Sequence, residues 1–215
     1  MNYPIILQSF ASDLNLYIPD PQKIQSVFEE QKAQNPAIDF PFWAKCWSSS
    51  FAMLKFLQNH AHYIQHKSVV ELGAGIGLPS FFAANRASSV TITDYAEEAL
   101  DLMRYNIAAL QLSNTQVKSF NWNDYDTPIQ AEVVLLSDVN YDQNDFASLK
   151  LLLHAYLKNG ATILLATPHR INASSFVLEF LPYVQEQELI SIEMDLNECM
   201  IGLFVFQNPL SLRIS

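Results

Sequence analysis

The sequence predicts an α/β fold, with a seven-stranded, mostly parallel sheet, helices on both faces and an antiparallel C-terminal hairpin. Three observations carry that expectation. Short apolar runs of strand length alternate with helical-period segments from Val69 to Leu181, as β/α units around a parallel sheet do. A glycine-rich turn, Gly73-Ala74-Gly75-Ile76-Gly77, joins the first run to a segment opened by Leu78-Pro79, and proline suits the first turn of a helix. The C-terminal part holds two strand-like runs separated by Asn197-Glu198. That link is too short for a parallel crossover, so the pair must be antiparallel.

Taken in order, Asp20-Pro21 caps a first helix with Ile24, Val27 and Phe28 on one face, and Asn35-Pro36 ends it. The aromatic-rich loop Asp39-Phe40-Pro41-Phe42-Trp43-Ala44-Lys45-Cys46-Trp47 comes next, and Ser48 to Ser50 are placed to cap a helix bearing Phe51, Leu54 and Leu57. Residues 1–60 thus read as a helical extension and lid, and residues 61–215 as the core of one compact domain. Strands are expected at Val69–Glu71, Val90–Thr93, Gln116–Phe120, Val133–Leu136 and Thr162–Ala166. Of these, Val133-Val134-Leu135-Leu136 is continuously apolar, as in a central strand buried on both faces. Leu100, Met103, Ile107 and Leu110 recur at helical spacing, as do Phe146, Leu149, Leu153 and Tyr156, and a further helix is expected near Ser174–Leu181. In the hairpin, Ile190, Ile192 and Met194 alternate with Ser191, Glu193 and Asp195 like an edge strand, whereas Met200–Phe206 is apolar throughout, like a buried one.

The chain has 215 residues, half of them hydrophobic and only 16% charged, which suits one packed domain. A net charge of −10 argues against nucleic-acid or anionic-membrane partners, which require a basic face. Cys46 and Cys199 lack C-x-x-C or metal spacing and read as reduced thiols of a cytoplasmic protein. No basic segment precedes Ile5-Ile6-Leu7, and no apolar run approaches the ~18 residues of a membrane span. His60, His62 and His66 read as a polar loop without acidic partners, so no metal is expected. Nothing suggests an interface, and a monomer is expected.

Ligands of open α/β sheets bind beyond the carboxyl ends of the strands. The glycine turn there departs from the dinucleotide fingerprint, because its third glycine follows the second by two residues rather than three. Glu71 before it would repel a pyrophosphate but suits an ammonium group. The turn therefore points to S-adenosyl-L-methionine (SAM), which carries an amino-acid tail and no phosphate. Asp94, ending the second strand, is placed either to grip ribose hydroxyls or to cap a helix in a box with Glu97. Trp122, in Asn121-Trp122-Asn123-Asp124, suits either an adenine or the core. Ser137-Asp138-Val139-Asn140-Tyr141 brings a carboxylate and a phenol to the centre of the sheet, where a buried aspartate needs partners or a function. His169 and Arg170 follow the fifth strand, in the pocket or in a surface loop.

Together, Pro41-Phe42-Trp43-Ala44 with Trp47, Glu71-Leu72-Gly73-Ala74-Gly75, Asp94, Asn121-Trp122 and the D-x-x-Y of Asp138–Tyr141 resemble a known family. It is the class I, Rossmann-like SAM-dependent methyltransferases, in their seven-β-strand protein-lysine branch. The resemblance runs from about Phe40 to the C-terminus. The Pro-Phe-Trp-Ala segment is most similar to the electron-transfer-flavoprotein β-subunit lysine methyltransferase type. Such members usually carry Pro-Gly-Gly after the second tryptophan, where this chain has Ser48-Ser49-Ser50 beside the expected substrate entrance. The resemblance implies that Trp47, Gly73, Ala74, Gly75, Asp94, Trp122 and Ser137 contact SAM, with Glu71 in the same motif, and that Asp138 and Tyr141 form the substrate end. It implies methyl transfer to a lysine ε-amine of a protein, leaving S-adenosyl-L-homocysteine. The alternatives are a small amine or heterocycle as acceptor, or an inactive fold retained as a binding module.

Overall fold

A computed structural model of the chain describes residues 3–124, 127–168, 171–194 and 197–209. It begins with an element that the sequence patterns above do not include. Strands β1 (Ile5–Ala11) and β2 (Leu14–Pro19) pair antiparallel as a separate two-stranded sheet. Leu14, Leu16 and Ile18 alternate into the main core, a period of two that marks a strand and corrects the expectation of a helical extension. The hairpin is tied down by the buried Asn106, whose Oδ1 accepts from the Tyr17 N–H and whose Nδ2 donates to the Tyr17 carbonyl, each at 2.8 Å.

Helix α1 (Ile24–Gln34) starts later than Asp20, because the Asp20 carboxylate accepts from the Gln22 N–H in a local turn. Ile24 and Phe28 are its buried residues, on the expected face. Helix α2 (Ser48–Asn59) has Trp47 at its N-cap with no side-chain cap, so the serines do not cap it. Its residues Ala52, Met53, Phe56 and Leu57 are fully buried in the main core. The extension is therefore a hairpin and two helices rather than helical throughout, and α2 shares one hydrophobic core with the sheet.

Strands β3 (Ser68–Leu72), β4 (Ser89–Asp94), β5 (Thr115–Ser119), β6 (Val133–Ser137) and β7 (Thr162–Pro168) are parallel, and β8 (Val184–Met194) and β9 (Asn197–Phe206) form the antiparallel hairpin. The seven lie in the order β5-β4-β3-β6-β7-β9-β8. As expected, β8 is the edge and β9 is inserted antiparallel beside β7. Helices α3 (Leu78–Ala84), α4 (Glu97–Ala109), α5 (Phe146–Lys158) and α6 (Ile171–Leu178) complete the units.

The period of two in the strands divides the core between the two faces. Val69, Val133, Leu135 and Leu164 pack with α2, α3 and α4, whereas Val70, Val134, Leu136, Ile163 and Leu165 pack with α5 and α6. Burial on both faces explains why these strands read as continuous apolar runs. Among the described residues no helix is long and apolar enough to cross a membrane.

The expectation for the histidines needs one correction. His60 at the end of α2 has its Nε2 2.8 Å from Glu188 Oε1 and its Nδ1 3.8 Å from Glu186 Oε1 on β8. Its acidic partners lie too far along the sequence for local spacing to reveal them. Tyr63 donates to Glu186 Oε2 at 2.5 Å, so the segment after α2 is pinned to the edge strand.

Candidate active site

The C-terminal ends of β3, β4 and β6 open into a cavity of about 480 Å³, roofed by the segment from Asp39 to Trp47. The glycines are required by contact as well as by conformation. Gly73 and Gly75 have φ values of +59° and +56°, and a Cβ on Gly75 would lie 3.0 Å from the Trp43 carbonyl oxygen. A Cβ on Gly73 would meet Val139 Cγ1 at 3.0 Å and the Trp122 ring at 3.2 Å. The turn is thus clasped between the roof and the acceptor-side loop, where only glycine combines the conformation with the space.

Asp94 stands at the end of β4 and is 5% exposed. Its Oδ2 accepts from the Gly75 N–H at 2.8 Å and its Oδ1 from the Ala96 N–H at 2.9 Å. The capping box with Glu97 does not form, since α4 is capped at Ala96 with no side-chain bond. Burial raises the Asp94 pKa, and the N–H groups of Ala96, Gly75 and Tyr95 oppose that rise. Asp94 therefore braces the glycine turn while lining the cavity, and each oxygen keeps lone-pair capacity for a ligand hydroxyl.

Glu71, expected against the cofactor, is not among the lining residues. It is 1% exposed, and its Oε2 accepts from the Ser80 N–H at 3.0 Å, behind the turn and at the start of α3. Burial pushes its carboxyl up to about 8, with Ser80 opposing the shift and Asp94 adding to it. Glu71 thus fixes the turn to α3 from behind, where burial favours its protonated form.

The other expected cofactor residues, Trp47, Gly73, Ala74, Gly75, Trp122 and Ser137, all line the cavity. Trp122 is 7% exposed within the α5-side core and also forms a wall of the cavity. Its buried indole N–H has no partner.

The acceptor side differs in character. Asp138 has φ +58°, in the left-handed region, while its N–H donates to the Ala166 carbonyl at 2.9 Å. Such strain in a non-glycine residue persists only where the surroundings hold it, and it clusters at functional sites. A smaller cavity of about 140 Å³ is lined by Phe42, Trp47, Asp138 and Tyr141, all of which also line the large one. The Trp47 indole donates to the Phe42 carbonyl at 3.0 Å, which holds the two aromatics as one wall. Tyr141 keeps its phenolic proton, because burial and the negative charge around it raise its pKa. Ser137 Oγ, Thr167 Oγ1 and both polar atoms of Asn140 are buried without partners. His169 and Arg170 lie outside the described residues.

Sequence reasoning assigned no role to Asp39, Phe42 or Tyr95, which also line the cavity. The crowding of aromatics from Phe40 to Trp47 was the available signal for Phe42.

A seven-stranded sheet with this terminal hairpin, a glycine turn under a carboxylate and an aromatic-walled acceptor cavity define a class I SAM-dependent methyltransferase. The chain belongs to the lysine methyltransferase family, whose pattern matches residues 22–186. Protein N-lysine methyltransferase METTL21A of Mus musculus is 30% identical over 155 residues, 69% of each chain. Protein N-terminal and lysine N-methyltransferase EFM7 of Debaryomyces hansenii is 29% identical over 176 residues, 73% of this chain and 69% of that one. Histone-arginine methyltransferase METTL23 of Homo sapiens is 22% identical over 155 residues, 69% of this chain and 82% of that one.

Among solved structures, Pyrococcus abyssi tRNA (uracil-54, C5)-methyltransferase with S-adenosyl-L-homocysteine superposes at a TM-score of 0.61 and 11% identity, covering 94% of this chain and 44% of that one. Coclaurine N-methyltransferase, bound to N-methylheliamine and S-adenosyl-L-homocysteine, gives 0.54 and 16%, covering 66% and 51%. Both share the fold.

The residues present fit SAM. Gly73 and Gly75 leave a surface that a Cβ would fill, Asp94 presents acceptors, and the buried Trp122 N–H awaits one. The cavity volume of about 480 Å³ falls in the usual range of small-molecule sites.

Proposed function

We propose that this protein methylates a lysine ε-amine of a protein, with SAM held by Trp47, Gly73, Ala74, Gly75, Asp94, Trp122 and Ser137. The observation that carries the proposal is the pair of adjoining cavities with shared walls. The large one suits a cofactor, and the 140 Å³ one suits an amine on a slender stem between Phe42, Trp47, Asp138 and Tyr141. Bound SAM supplies an electrophilic methyl group on a sulfonium. The work left to the chain is to align a neutral amine with that methyl group and to exclude water.

Apolar walls favour the neutral amine, because desolvation disfavours the ammonium form. Asp138 pulls the other way, so its role here is to accept an N–H of the acceptor and orient the nitrogen lone pair. The Tyr141 phenol, kept protonated, is a hydrogen-bond donor at the same mouth. Both are positioning roles rather than strong general-base catalysis. The net charge of −10 and the two free cysteines support a cytoplasmic protein without nucleic-acid or membrane partners, and a monomer is the assembly proposed.

Methyl transfer from radiolabelled SAM into a host cell extract tests the proposal, with Asp138→Ala alongside. Label in a protein band, lost in the variant and recovered as methyl-lysine on hydrolysis, is the expected result. Label confined to small molecules, or recovered as methyl-arginine, overturns it.

A further inference from the structure

Exposed aromatics gather at the mouth that the large and the small cavity share. Phe42, Tyr95 and Tyr141 are 56%, 65% and 51% exposed; all three line the large cavity, and Phe42 and Tyr141 line the small one as well. Large aromatics left in water around a cleft mark an interaction surface more often than chance exposure does. The same mouth is acidic. Asp39 lines the cavity, and Asp142 and Asp145 follow Tyr141 on the short turn that leads into α5. The Asp145 carboxylate accepts from Asn123 Nδ2 at 2.9 Å, which ties that turn to the loop carrying Trp122.

No described lysine or arginine forms an ion pair with Asp39, Asp142 or Asp145, although Arg86, Arg104 and Lys150 pair with carboxylates elsewhere. Among the described residues lining the cavity, Lys45 is the one cation, and its ammonium sits 5.0 Å over the Trp47 ring. The negative charge is felt at the rim, where Asp145, Asp39 and Asp142 contribute to keeping the Tyr95 and Tyr141 phenols protonated.

We infer that the acceptor lysine is presented within a basic segment of its protein, whose flanking lysine or arginine side chains dock on this aromatic and acidic rim. The inference rests on the proposed methyl transfer to protein lysine and adds the class of substrate sequence. Two forces act together at such a surface. Cations stack on aromatic faces, and complementary charge raises the encounter rate with a strong dependence on salt. A free amine would use the small cavity alone and leave the rim unoccupied. A basic chain engages both.

The test uses three fluorescent peptides with a central lysine flanked by arginine, serine or glutamate, titrated into the full chain with S-adenosyl-L-homocysteine present. At low salt the arginine peptide should bind at least ten-fold tighter than the serine peptide, and the glutamate peptide weakest. The preference should shrink as sodium chloride is raised. The Asp142→Asn, Asp145→Asn double variant keeps the side-chain oxygens that accept from Asn144 and Asn123. It should lose most of the preference while binding S-adenosyl-L-homocysteine normally.

An arginine peptide that binds no tighter than the serine peptide overturns the inference. So does an undiminished preference in the double variant, which would place the binding elsewhere on an acidic protein. Methyl transfer into extract proteins separates the two levels. No protein labelling by the wild type defeats the proposed activity itself, whereas equal labelling by wild type and double variant defeats only the basic-segment inference.

Discussion

Asp94, at the cofactor end of the cavity, and Glu71, behind the glycine turn, each hold backbone N–H groups: Asp94 those of Gly75 and Ala96, Glu71 that of Ser80. Past β6, at the acceptor end, Asn140 buries both polar atoms of its amide without a partner, and Asp138 sits at φ +58°. The cofactor end has its turn braced before any ligand arrives, with the Trp122 N–H left open for one, and the acceptor end stores unfavourable free energy. A buried polar atom left unpaired costs about 1–3 kcal/mol, and a left-handed non-glycine residue about 1–2 kcal/mol. A rigid cradle suits a cofactor that is the same in every turnover. The unsatisfied loop beside it is where specificity for the acceptor would be traded against stability.

The largest expected effect separates the two ends by chemistry. Asn at position 138 tolerates the left-handed conformation much as aspartate does, so Asp138→Asn should fold normally. It should lower kcat by roughly 10²–10³-fold, within the range for loss of a positioned polar group in a transition state. The affinity for S-adenosyl-L-homocysteine, measured by calorimetry, should change less than three-fold. Wild-type turnover in this variant would remove Asp138 from the reaction. A collapse of cofactor affinity would move it to the other end of the cavity.

Gly75→Ala attacks the braced end. Its Cβ would lie 3.0 Å from the Trp43 carbonyl oxygen at a φ of +56°, so either the roof or the turn must shift. Cofactor affinity should fall at least ten-fold, with about 1–2 kcal/mol of stability lost in chemical denaturation. If cofactor affinity is retained, the roof moves freely and the cradle is less rigid than the comparison requires.

Glu71→Gln refines the comparison through pH. The Glu71 carboxyl is raised from 4.5 to about 8 by burial, so the folded state binds a proton that the unfolded chain releases at lower pH. Its contribution to stability is complete below about pH 4.5 and is lost as pH rises through about 8. The slope approaches 1.4 kcal/mol per pH unit between those values. Glutamine keeps an oxygen for the Ser80 N–H and carries no charge. The variant should therefore gain on the wild type by about 2 kcal/mol between pH 6 and 7.5, read as a widening gap in urea midpoints. Parallel profiles would mean that Glu71 is ionised in the fold.

The cofactor end was also the more legible of the two in sequence, for a physical reason. Its residues are contiguous: strand, glycine turn and proline-opened helix lie within Val69–Pro79, and Asp94 closes the next strand. Alternation and continuous apolar runs gave the parallel strands and the inserted hairpin, because burial on one or both faces writes itself into periods of two or none. What escaped depended on distance along the chain. Asn106 clasping Tyr17, and His60 meeting Glu186 and Glu188, are contacts that no local pattern encodes. The direction of the Glu71 side chain was equally hidden, because it is set by strand alternation: the carboxylate accepts from Ser80 at the start of α3. The β1–β2 hairpin is different, since Leu14-Asn15-Leu16-Tyr17-Ile18 carries a legible period of two.

The smallest effect tests the unsatisfied end most directly. Asn140, 2% exposed, sits between the cavity residues Val139 and Tyr141, and neither its oxygen nor its nitrogen has a partner. Leucine has nearly the same shape without the polar atoms. In a site with no other purpose, Asn140→Leu should stabilise the protein by about 1 kcal/mol, since replacing an unpaired buried polar group by an apolar one removes its desolvation cost. Thermal unfolding should show that gain as a rise of a few degrees in Tm. If Asn140 is kept for the acceptor, the same variant should raise the acceptor KM several-fold while cofactor affinity stays unchanged. Greater stability with unaltered kinetics would reduce Asn140 to a packing accident. A lower Tm would mean that the carboxamide is satisfied in solution, and the contrast between the two ends would then rest on the strained Asp138 backbone alone.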